Sequence, residues 1–453
     1  MATVVPFRAW RYDTAKAGPL EAVTAPPYDV ISPSLQVRLY EKSPYNVVRV
    51  DLGMSTPKDT PQDNRYTRAA GLIRSWKRDG ILVRDPEPTV TMVQEDFVGP
   101  DGQARTRRGF LACLRLEEFG EGGVFPHEAT LATPKRDRFE LMWTTEMALS
   151  PLFLLYHLPG EGIMTAWDGL DEASRPPAGE LTDINGTRIR LWPTSDPEIL
   201  RTIRTRLEPV PLLIGDGHHR YETALFYKNT LYAQGDGPGA WDYSMVYLVD
   251  MEDPGLAIFG THRLVKDFPG IYMDNLPRSL ERDFYVKRLT TDPLEARAAI
   301  ADYLEQHEAK GGAFGLYIAD LGTSYGVALK DRADLQDDDC ADADGHSAVY
   351  KNLDVSILQH QILQKILGVT LQDVAAGKHV AFFKEWDEAF EQLANGAYQA
   401  GFFMNPTPMS QVRKVAMDCG ERMPQKATYF YPKLPCGLAF YDVRAEEPPS
   451  DAV

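Results

Sequence analysis

The stretch Pro209–Tyr227 reads PVPLLIGDGHHRYETALFY, and its pattern changes from strand to helix within a few residues. Leu212, Leu213 and Ile214 form a short apolar run bounded by proline and glycine, which is typical of a buried strand. From His218 onward the apolar residues follow helical spacing and leave one mostly apolar face. The sequence therefore predicts a strand, a turn at Asp216-Gly217 and a helix that begins near His218.

This turn brings together groups that favour an anion. The start of a helix carries unpaired backbone N–H groups and the positive end of the helix dipole. His218, His219 and Arg220 add side-chain donors at the same point, and an arginine can bind a phosphate with two hydrogen bonds. The alternative is a helix capped by Asp216 whose polar first turn only faces water. Two histidines followed by an arginine favour a phosphate or carboxylate site.

Length and composition describe a protein of several domains. With 453 residues, the chain exceeds the size at which one hydrophobic core keeps growing. Its 43% apolar and 25% charged residues are typical of a globular protein. We expect an α+β protein with mixed sheets, divided into a lobe at 1–118, a core at 119–268, a second lobe at 269–443 and a disordered tail at 444–453.

Charge and hydropathy argue against two classes of partner. A net charge of −17 argues against a broad electrostatic contact with nucleic acid. No apolar run approaches the roughly 20 residues needed to cross a bilayer, so no membrane partner is expected. Arginines stand where a signal peptide would have its apolar segment, and the four cysteines form no C-x-x-C pair. These features predict a cytoplasmic protein with reduced cysteines.

The N-terminal part contains a proline-marked motif. Adjacent prolines in Ala25-Pro26-Pro27-Tyr28-Asp29 enforce an extended chain and fix the geometry of the two residues that follow. Ser32-Pro33 predicts a helix capped by Ser32. The pattern further predicts a strand at Tyr45–Leu52, a helix at Arg65–Asp79, and paired strands near Thr89–Val98 and Arg107–Leu116.

Further candidate site residues lie on both sides of the turn. Pro126-His127-Glu128 precedes a charged loop that holds Lys135, Arg136 and Arg138, and such a mixture of acids and bases suits a substrate loop. A second His-Arg pair, His262-Arg263, also follows a strand and raises the likelihood of a shared anion site. Lys426 and Thr428 lie in an aromatic stretch near the C-terminus.

Several familiar signatures are missing from the sequence. It contains no Walker A loop, no G-x-G-x-x-G after a strand and no HExxH. Cationic groups that can hold phosphate remain, together with carboxylates that can hold Mg²⁺ or accept a proton. Phosphoryl transfer needs this combination, because it depends mainly on positioning and charge stabilisation.

Over nearly its whole length the chain resembles the conserved bacterial and archaeal domain-of-unknown-function family 1015. The motifs that carry this resemblance are the Ala25–Ile31 segment, Pro126-His127-Glu128, Asp216–Tyr221, Thr261-His262-Arg263 and Met423–Lys433. Three of them, in the same order, also resemble the free-serine kinases of the ParB and sulfiredoxin-like superfamily. Those kinases carry Pro-His-Glu, Asp-Gly-His-His-Arg and Ser-Pro-Lys-x-Thr.

The kinase resemblance implies a ParB/sulfiredoxin-like core with appended α/β lobes and a Mg²⁺-dependent phosphotransferase acting on serine or phosphoserine. Glu128 would be the general base, with His127 beside it. Asp216 to Arg220 would hold the nucleotide phosphates, with Asp216 near Mg²⁺. His262 and Arg263 have no counterpart among the kinase motifs and are secondary candidates for the same site. Lys426, Thr428, Lys135 and Arg138 would bind the amino acid.

The resemblance leaves the nucleotide and the direction of the reaction open. ADP and ATP both serve related kinases, and CTP binds to the same turn in ParB relatives. The alternatives are a phosphoserine phosphatase and a non-catalytic, ParB-like nucleotide-binding switch in which Glu128 is structural. The chain departs from the kinase pattern at Met423-Pro424, in about a hundred residues before Pro126, and in a long segment between Glu128 and Asp216. These additions could build a different substrate pocket.

Overall fold

A computed structural model describes residues 2–121, 123–129, 132–160, 163–164, 176–330 and 345–449. They form two compact units. The first contains Met1–Pro126, Thr130–Ala257 and Pro432–Val453, and the second contains His127–Ala129 and Ile258–Tyr431.

Helices and strands alternate irregularly along the chain. The strands are β1 Val4–Val5, β2 Trp10–Tyr12, β3 Leu82–Arg84, β4 Val90–Val98, β5 Ala104–Arg115, β6 Val124–Pro126, β7 Met147–Ala148, β8 Leu152–Tyr156, β9 Gly179–Thr182, β10 Arg188–Thr194, β11 Leu212–Asp216, β12 Tyr243–Asp250, β13 Ala257–Phe259, β14 His262–Val265, β15 Phe284–Thr290, β16 Ala313–Ile318, β17 Thr323–Leu329, β18 Val380–Phe383, β19 Ala400–Met404, β20 Tyr429–Tyr431 and β21 Tyr441–Asp442. The α-helices are α1 Thr14–Ala17, α2 Leu20–Val23, α3 Pro33–Lys42, α4 Val48–Asp51, α5 Arg65–Arg78, α6 Ala132–Thr145, α7 Pro197–Leu207, α8 His218–Ala233, α9 Gly270–Leu280, α10 Ala296–His307, α11 Ala348–Asn352, α12 Asp354–Ile357, α13 Leu371–Ala375, α14 Trp386–Ala394 and α15 Met409–Arg413. This mixture with several sheets confirms the predicted α+β class.

The first unit is built on a nine-stranded mixed sheet. Its order is β6-β11-β8-β12-β5-β4-β10-β9, with β1 paired to β5. Strand β11 is parallel to β6 and antiparallel to β8. Leu212, Leu213 and Ile214 are completely buried, and Tyr221, Ala224 and Leu225 of α8 are nearly so. The predicted strand, turn and helix are therefore confirmed, and the apolar face of α8 packs into the core of this unit.

Local sequence signals in the first unit are mostly confirmed. Ser32 caps α3 by accepting a hydrogen bond from the backbone N–H of Leu35. The predicted strand at Tyr45–Leu52 is wrong, because the chain forms the short helix α4 there. Buried Asn46 explains the difference. Its amide nitrogen donates to the carbonyls of Ala22 and Thr24 at 2.8 and 2.9 Å, and its side-chain oxygen accepts from the N–H of Val48. These bonds fold the segment into a helical turn.

The second unit contains a six-stranded sheet in the order β15-β17-β16-β19-β14-β18, with antiparallel pairing throughout. Leu264, Ile300, Leu393 and Phe403 contribute to its core. The helix predicted at Leu353–Leu367 is present as α12 followed by a π-helical turn, Leu358–Gln364.

The predicted borders at residues 118, 268 and 443 differ from those of the two units, and the division into a core and two lobes stays a prediction. Strands β4 and β5 precede residue 118, yet they share one sheet with β8, β10, β11 and β12. Arg444, expected in the disordered tail, donates to the hydroxyl of Tyr227 at 3.1 Å, while residues 450–453 lie outside the described chain.

Two other expectations concern cysteines and membranes. Cys113 and Cys436 are buried free thiols, whereas Cys419 is disulfide-bonded, so the prediction of reduced cysteines is wrong for Cys419. Within the described residues, none of the helices combines the length and apolar character that crossing a membrane requires.

Candidate functional site

The Asp-Gly-His-His-Arg turn depends on its glycine for two reasons. Gly217 precedes α8 with a φ of 94°, a left-handed conformation that favours glycine. A Cβ on Gly217 would also lie 3.0 Å from a guanidinium nitrogen of Arg220. The glycine therefore permits both the bend and the close approach of Arg220. His218 and His219 lie in the first turn of α8, where His218 is buried and His219 is half-buried.

Asp216 is the centre of a charged cluster, which we call the Asp216 cluster and define as Asp29, Asp216, Arg220 and Lys433. One carboxylate oxygen of Asp216 accepts from Arg220 Nη2 at 2.7 Å, and the other accepts from Lys433 Nζ at 2.8 Å. Lys433 also donates to Asp29 Oδ2 at 2.6 Å. Asp216 does not cap the helix, since the N-cap is Gly217 and makes no side-chain cap bond.

Electrostatics keep both cations of the cluster charged. Burial lowers the pKa of Lys433, but attraction by Asp216 and Asp29 outweighs it and leaves the pKa above its usual range. The same balance holds for Arg220, where burial lowers the pKa and Asp216 contributes most to raising it. Arg220 is further held by Ser150 Oγ at 3.2 Å and by the carbonyl of Pro151.

Arg138 lies in a second buried network of the same unit. Its Nη1 donates to the carbonyl and to Oδ1 of Asp51, each at 3.0 Å, and its Nε donates to Asp137. The ring of Tyr28 lies 4.1 Å from the guanidinium carbon, a cation–π contact. Burial lowers the pKa of Arg138, while Asp51 and Asp137 raise it more. Lys135, predicted beside Arg138 as a substrate residue, instead forms a salt bridge with Glu222.

His127 and Glu128 contact the C-terminal motif within the second unit. His127 is fully buried, and its Nε2 is hydrogen-bonded to Thr428 Oγ1 at 2.9 Å. Glu128 Oε1 accepts from the backbone N–H of Lys426 at 2.9 Å. Lys426 has a φ of 58°, which is uncommon for a residue with a side chain. Four predicted residues are thus brought together, two from the catalytic set and two from the substrate set.

Arg263 is hydrogen-bonded to the same C-terminal segment, at Lys426. It donates to the carbonyls of Lys426 at 3.1 Å and of Thr261, and its guanidinium lies 5.2 Å from the ring centre of Phe382. Burial lowers the pKa of Arg263 to about 10, partly offset by Glu128. Arg263 is only 3% exposed, so its predicted contact with an anion stays a prediction.

His262 packs between aromatic rings. Its ring centre is 4.8 Å from that of Trp386 and 5.0 Å from that of Phe403. Burial, reinforced by the charge of Arg263, lowers the pKa of His262 to about 3. His262 is therefore neutral at physiological pH and contributes packing in place of a charge for an anion.

The residues around Asp216 do not form a ready site for Mg²⁺. Both carboxylate oxygens of Asp216 are bonded to cationic side chains, and Lys433 bridges it to Asp29. Among the residues that the structure describes, no group of three or more His, Cys, Asp or Glu side chains could hold a metal. In this state an ammonium group stands between the two carboxylates that could bind the cation.

Sequence reasoning missed several members of these networks as site residues, among them Asp29, Lys433 and Asp51. Two of them lay in stretches already marked as motifs: Asp29 follows the proline pair and Lys433 ends the aromatic stretch. Asp51 carried no such signal, because it fell in a segment predicted to be a strand.

A family comparison matches residues 4–356 with the family described as "Protein of unknown function (DUF1015)". The chain belongs to the DUF1015 family. A search of curated proteins found no match.

Similar solved structures include a free serine kinase. A point mutant of that kinase in complex with ADP shares 15% identity, with a TM-score of 0.36 over 71% of this chain and 88% of that one. A conserved hypothetical protein from Pyrococcus furiosus has 15% identity and a TM-score of 0.33 over 69% and 90% of the two chains. C-terminally truncated SbnI from Staphylococcus aureus has 9% identity and a TM-score of 0.31 over 69% and 81%. Similarity at this level says nothing about activity.

Proposed function

We propose that this DUF1015 protein is a phosphotransferase that moves a phosphoryl group between a nucleotide and serine or phosphoserine. The observation that carries the proposal is the Asp216 cluster. It brings two cationic groups, Arg220 and Lys433, to the strand-to-helix turn of the motif shared with the free-serine kinases.

The Asp216 cluster suits reversible binding of a phosphate. Helix α8 supplies N–H groups and a positive dipole end at Gly217 to His219. In the described state, carboxylates occupy donors that a phosphate would need, so Arg220 and Lys433 are held in place without an uncompensated charge. A nucleotide phosphate would compete with Asp216 and Asp29 for these donors, and charge-assisted bonds of both kinds are of similar strength.

Glu128 supports the role of general base through its fixed position. The backbone N–H of Lys426 holds one carboxylate oxygen at 2.9 Å. In the proposed reaction the serine hydroxyl oxygen forms the new P–O bond and its proton passes to Glu128. The bond between the transferred phosphorus and the bridging oxygen of the nucleotide breaks, which leaves ADP from ATP or AMP from ADP. General-base help is worth about 10² to 10⁴ in rate.

The proposed fold assignment follows the same motifs. We assign β6, β11 and the start of α8, together with His127 and Glu128, to a ParB/sulfiredoxin-like core, around which the remaining elements form appended lobes. The assignment rests on the order of the motifs in the sequence.

The decisive assay incubates the purified chain with serine, Mg²⁺ and either ADP, ATP or CTP, and follows phosphoserine by mass spectrometry. Glu128→Gln is the informative variant, because its amide oxygen can still accept from the N–H of Lys426 while the basic carboxylate is lost. Glu305→Gln, on an exposed face of α10, is the matched control. We expect wild type and Glu305→Gln to make phosphoserine and Glu128→Gln to lose about 10²-fold or more in rate.

Other outcomes identify the alternatives. Release of phosphate from phosphoserine without a nucleotide would favour a phosphatase. Nucleotide binding without turnover in wild type would leave a non-catalytic switch, which the bond between Glu128 and Lys426 also permits. Absence of both binding and turnover would refute the proposal.

A further inference from the structure

A fully buried charged network lies in the nine-stranded sheet of the first unit, and we call it the Arg107 network and define it as Glu95, Arg107 and Tyr247. Glu95 and Arg107 are cross-strand partners on β4 and β5. Arg107 Nε and Nη2 donate to the two carboxylate oxygens of Glu95 at 2.7 and 2.9 Å, and the hydroxyl of Tyr247 donates to Glu95 Oε2 at 2.7 Å. The three residues are at most 1% exposed, so the network can affect a site only through the groups that it contacts.

Stability alone is a weak explanation for these buried charges. Taking an Arg–Glu pair out of water costs about as much free energy as the attraction within the pair recovers, and replacing such a pair by apolar side chains is often neutral or stabilising. Burial lowers the pKa of Arg107, but Glu95 and Tyr247 raise it more, so the guanidinium stays charged. A guanidinium holds its donors in a rigid planar fork. This fixed geometry is a property that an apolar cluster lacks.

The fork directs one further N–H group at the chain next to Lys433. While its bidentate pair fixes the guanidinium plane, Arg107 Nη2 also donates to the carbonyl of Pro432 at 2.6 Å. Lys433 follows directly, and three residues later Cys436 exchanges two backbone hydrogen bonds with Ala25. The segment that carries Lys433 is therefore held on both sides, by Arg107 before it and by Ala25 after it.

The same network reaches the neighbourhood of Asp216 through an aromatic ring. Phe153 of β8 is the cross-strand partner of both Tyr247 and Asp216, and such partners lie on one face of a sheet. The ring of Phe153 stacks on Tyr247 with centres 5.7 Å apart, and the guanidinium carbon of Arg107 lies 5.2 Å from its centre. A Cβ on Gly215 would lie 2.9 Å from this ring. Contacts therefore run from the network to the chain beside both members of the Lys–Asp ion pair.

We propose that Arg107 is a positioning residue, which acts through the carbonyl of Pro432 to set the place of Lys433 in the Asp216 cluster. The inference rests on the proposed function, in which Lys433 binds a nucleotide phosphate, and it adds a residue that controls this binding without touching the ligand. Loss of the bond to Pro432 should let the ammonium group move away from its two carboxylates. The phosphate site then loses one of its two cations.

Replacement of the whole network separates positioning from stability. The apolar variant carries Glu95→Leu, Arg107→Met and Tyr247→Phe together, so no buried charge is left unpaired and we expect the variant to fold. It lacks the donor to the Pro432 carbonyl. Arg74→Met, at an exposed position of α5, is the control and should behave as wild type in both measurements.

Two measurements on the full chain report the place of Lys433. Crystals without nucleotide should show its Nζ more than about 3.5 Å from the carboxylate of Asp216 or of Asp29 in the apolar variant. Calorimetric titration with ADP should give a Kd at least about tenfold higher than in wild type, as expected for the loss of one charge-assisted bond. In a Lys433→Met background the apolar variant should change the Kd by less than about twofold, because the residue it positions is already gone.

Arg107→Lys guards against misfolding of the apolar variant, because lysine keeps the charge beside Glu95 but lacks the planar fork, and it should give the same changes. An unmoved Lys433 or an unchanged ADP Kd would overturn the inference, as would an equal loss of affinity in the Lys433→Met background. If wild type makes phosphoserine and the Arg107 variants bind ADP normally, the inference fails and the proposed function stands. If Lys433 moves in the crystal but wild type binds no nucleotide, the positioning of Lys433 stands and the proposed function fails.

Discussion

Replacing Lys433 by methionine removes the charge that joins Asp29 to Asp216 and keeps most of the side-chain volume. The Lys433 side chain is 14% exposed, and the two carboxylates are 30% and 29% exposed. Exposed ion pairs contribute up to about 1 kcal/mol, and breaking a fully buried pair costs about 3–5 kcal/mol. For this partly buried cluster we expect Lys433→Met to lower the free energy of unfolding by about 1.5–3 kcal/mol, a range between those two limits.

A double-mutant cycle separates the charge effect from lost packing. In the Lys433→Met background, Asp29 and Asp216 are left without their shared cation, so Asp29→Asn should cost less there than in wild type. We expect a coupling free energy of about 0.5–3 kcal/mol between the two positions, measured by urea unfolding of all four proteins. Lys58→Met, at an exposed position of the same unit, is the control and should change stability by less than about 0.5 kcal/mol. If Lys433→Met matches that control, Lys433 contributes no electrostatic energy to the cluster and the reasoning is refuted.

Three further predictions concern single residues. The pKa of His262 is lowered to about 3 in the folded chain, so only the unfolded chain takes up this proton as the pH falls through 6.5. Between pH 7 and pH 5 the free energy of unfolding should therefore fall by about 2 kcal/mol because of His262. An equal pH dependence of unfolding in His262→Phe would contradict this. Gly217→Ala should lower the free energy of unfolding by about 1–2 kcal/mol, because residue 217 has a left-handed backbone conformation. It should also weaken ADP binding, measured by titration, because the new Cβ displaces Arg220. Gly237→Ala, whose Cβ would meet open space, should leave ADP binding unchanged in the same titration. Thr428→Val removes the hydroxyl that is hydrogen-bonded to the buried Nε2 of His127 and should lower the free energy of unfolding by about 1–3 kcal/mol. A neutral result in thermal unfolding would show that this hydrogen bond contributes nothing.

Local patterns correctly predicted the strand, the turn and the helix around Gly217, because these elements depend on interactions between residues that are close in sequence. The apolar run at Leu212–Ile214, the glycine bend and the helical spacing after His218 each depend on neighbours in the sequence. The strand predicted at Tyr45–Leu52 failed for the opposite reason. The side chain of Asn46 bonds to carbonyls more than twenty residues away, and a local pattern carries no information about those partners.

The candidate site also combines features that local sequence predicts with features that only tertiary folding creates. The motif at Asp216–Arg220 marked a charged turn, and the structure shows Asp216 and Arg220 as partners within it. The third partner, Lys433, is 217 residues from Asp216 and 404 from Asp29 in sequence. Tertiary folding alone creates that pairing, which sets an ammonium group against Asp216, the carboxylate predicted to lie near Mg²⁺. The buried roles of His262 and Arg263 likewise follow from the packing of the second unit and could not be read from a His-Arg pair.

The most direct measurement is a crystal structure of the full chain soaked with ADP, at a resolution that defines the phosphates. We predict that a phosphate oxygen lies within hydrogen-bonding distance of the backbone N–H groups at Gly217 to His219, and that Arg220 or Lys433 exchanges a carboxylate partner for it. Nucleotide bound elsewhere, with Arg220 and Lys433 still paired to Asp216, would contradict the proposed phosphate site.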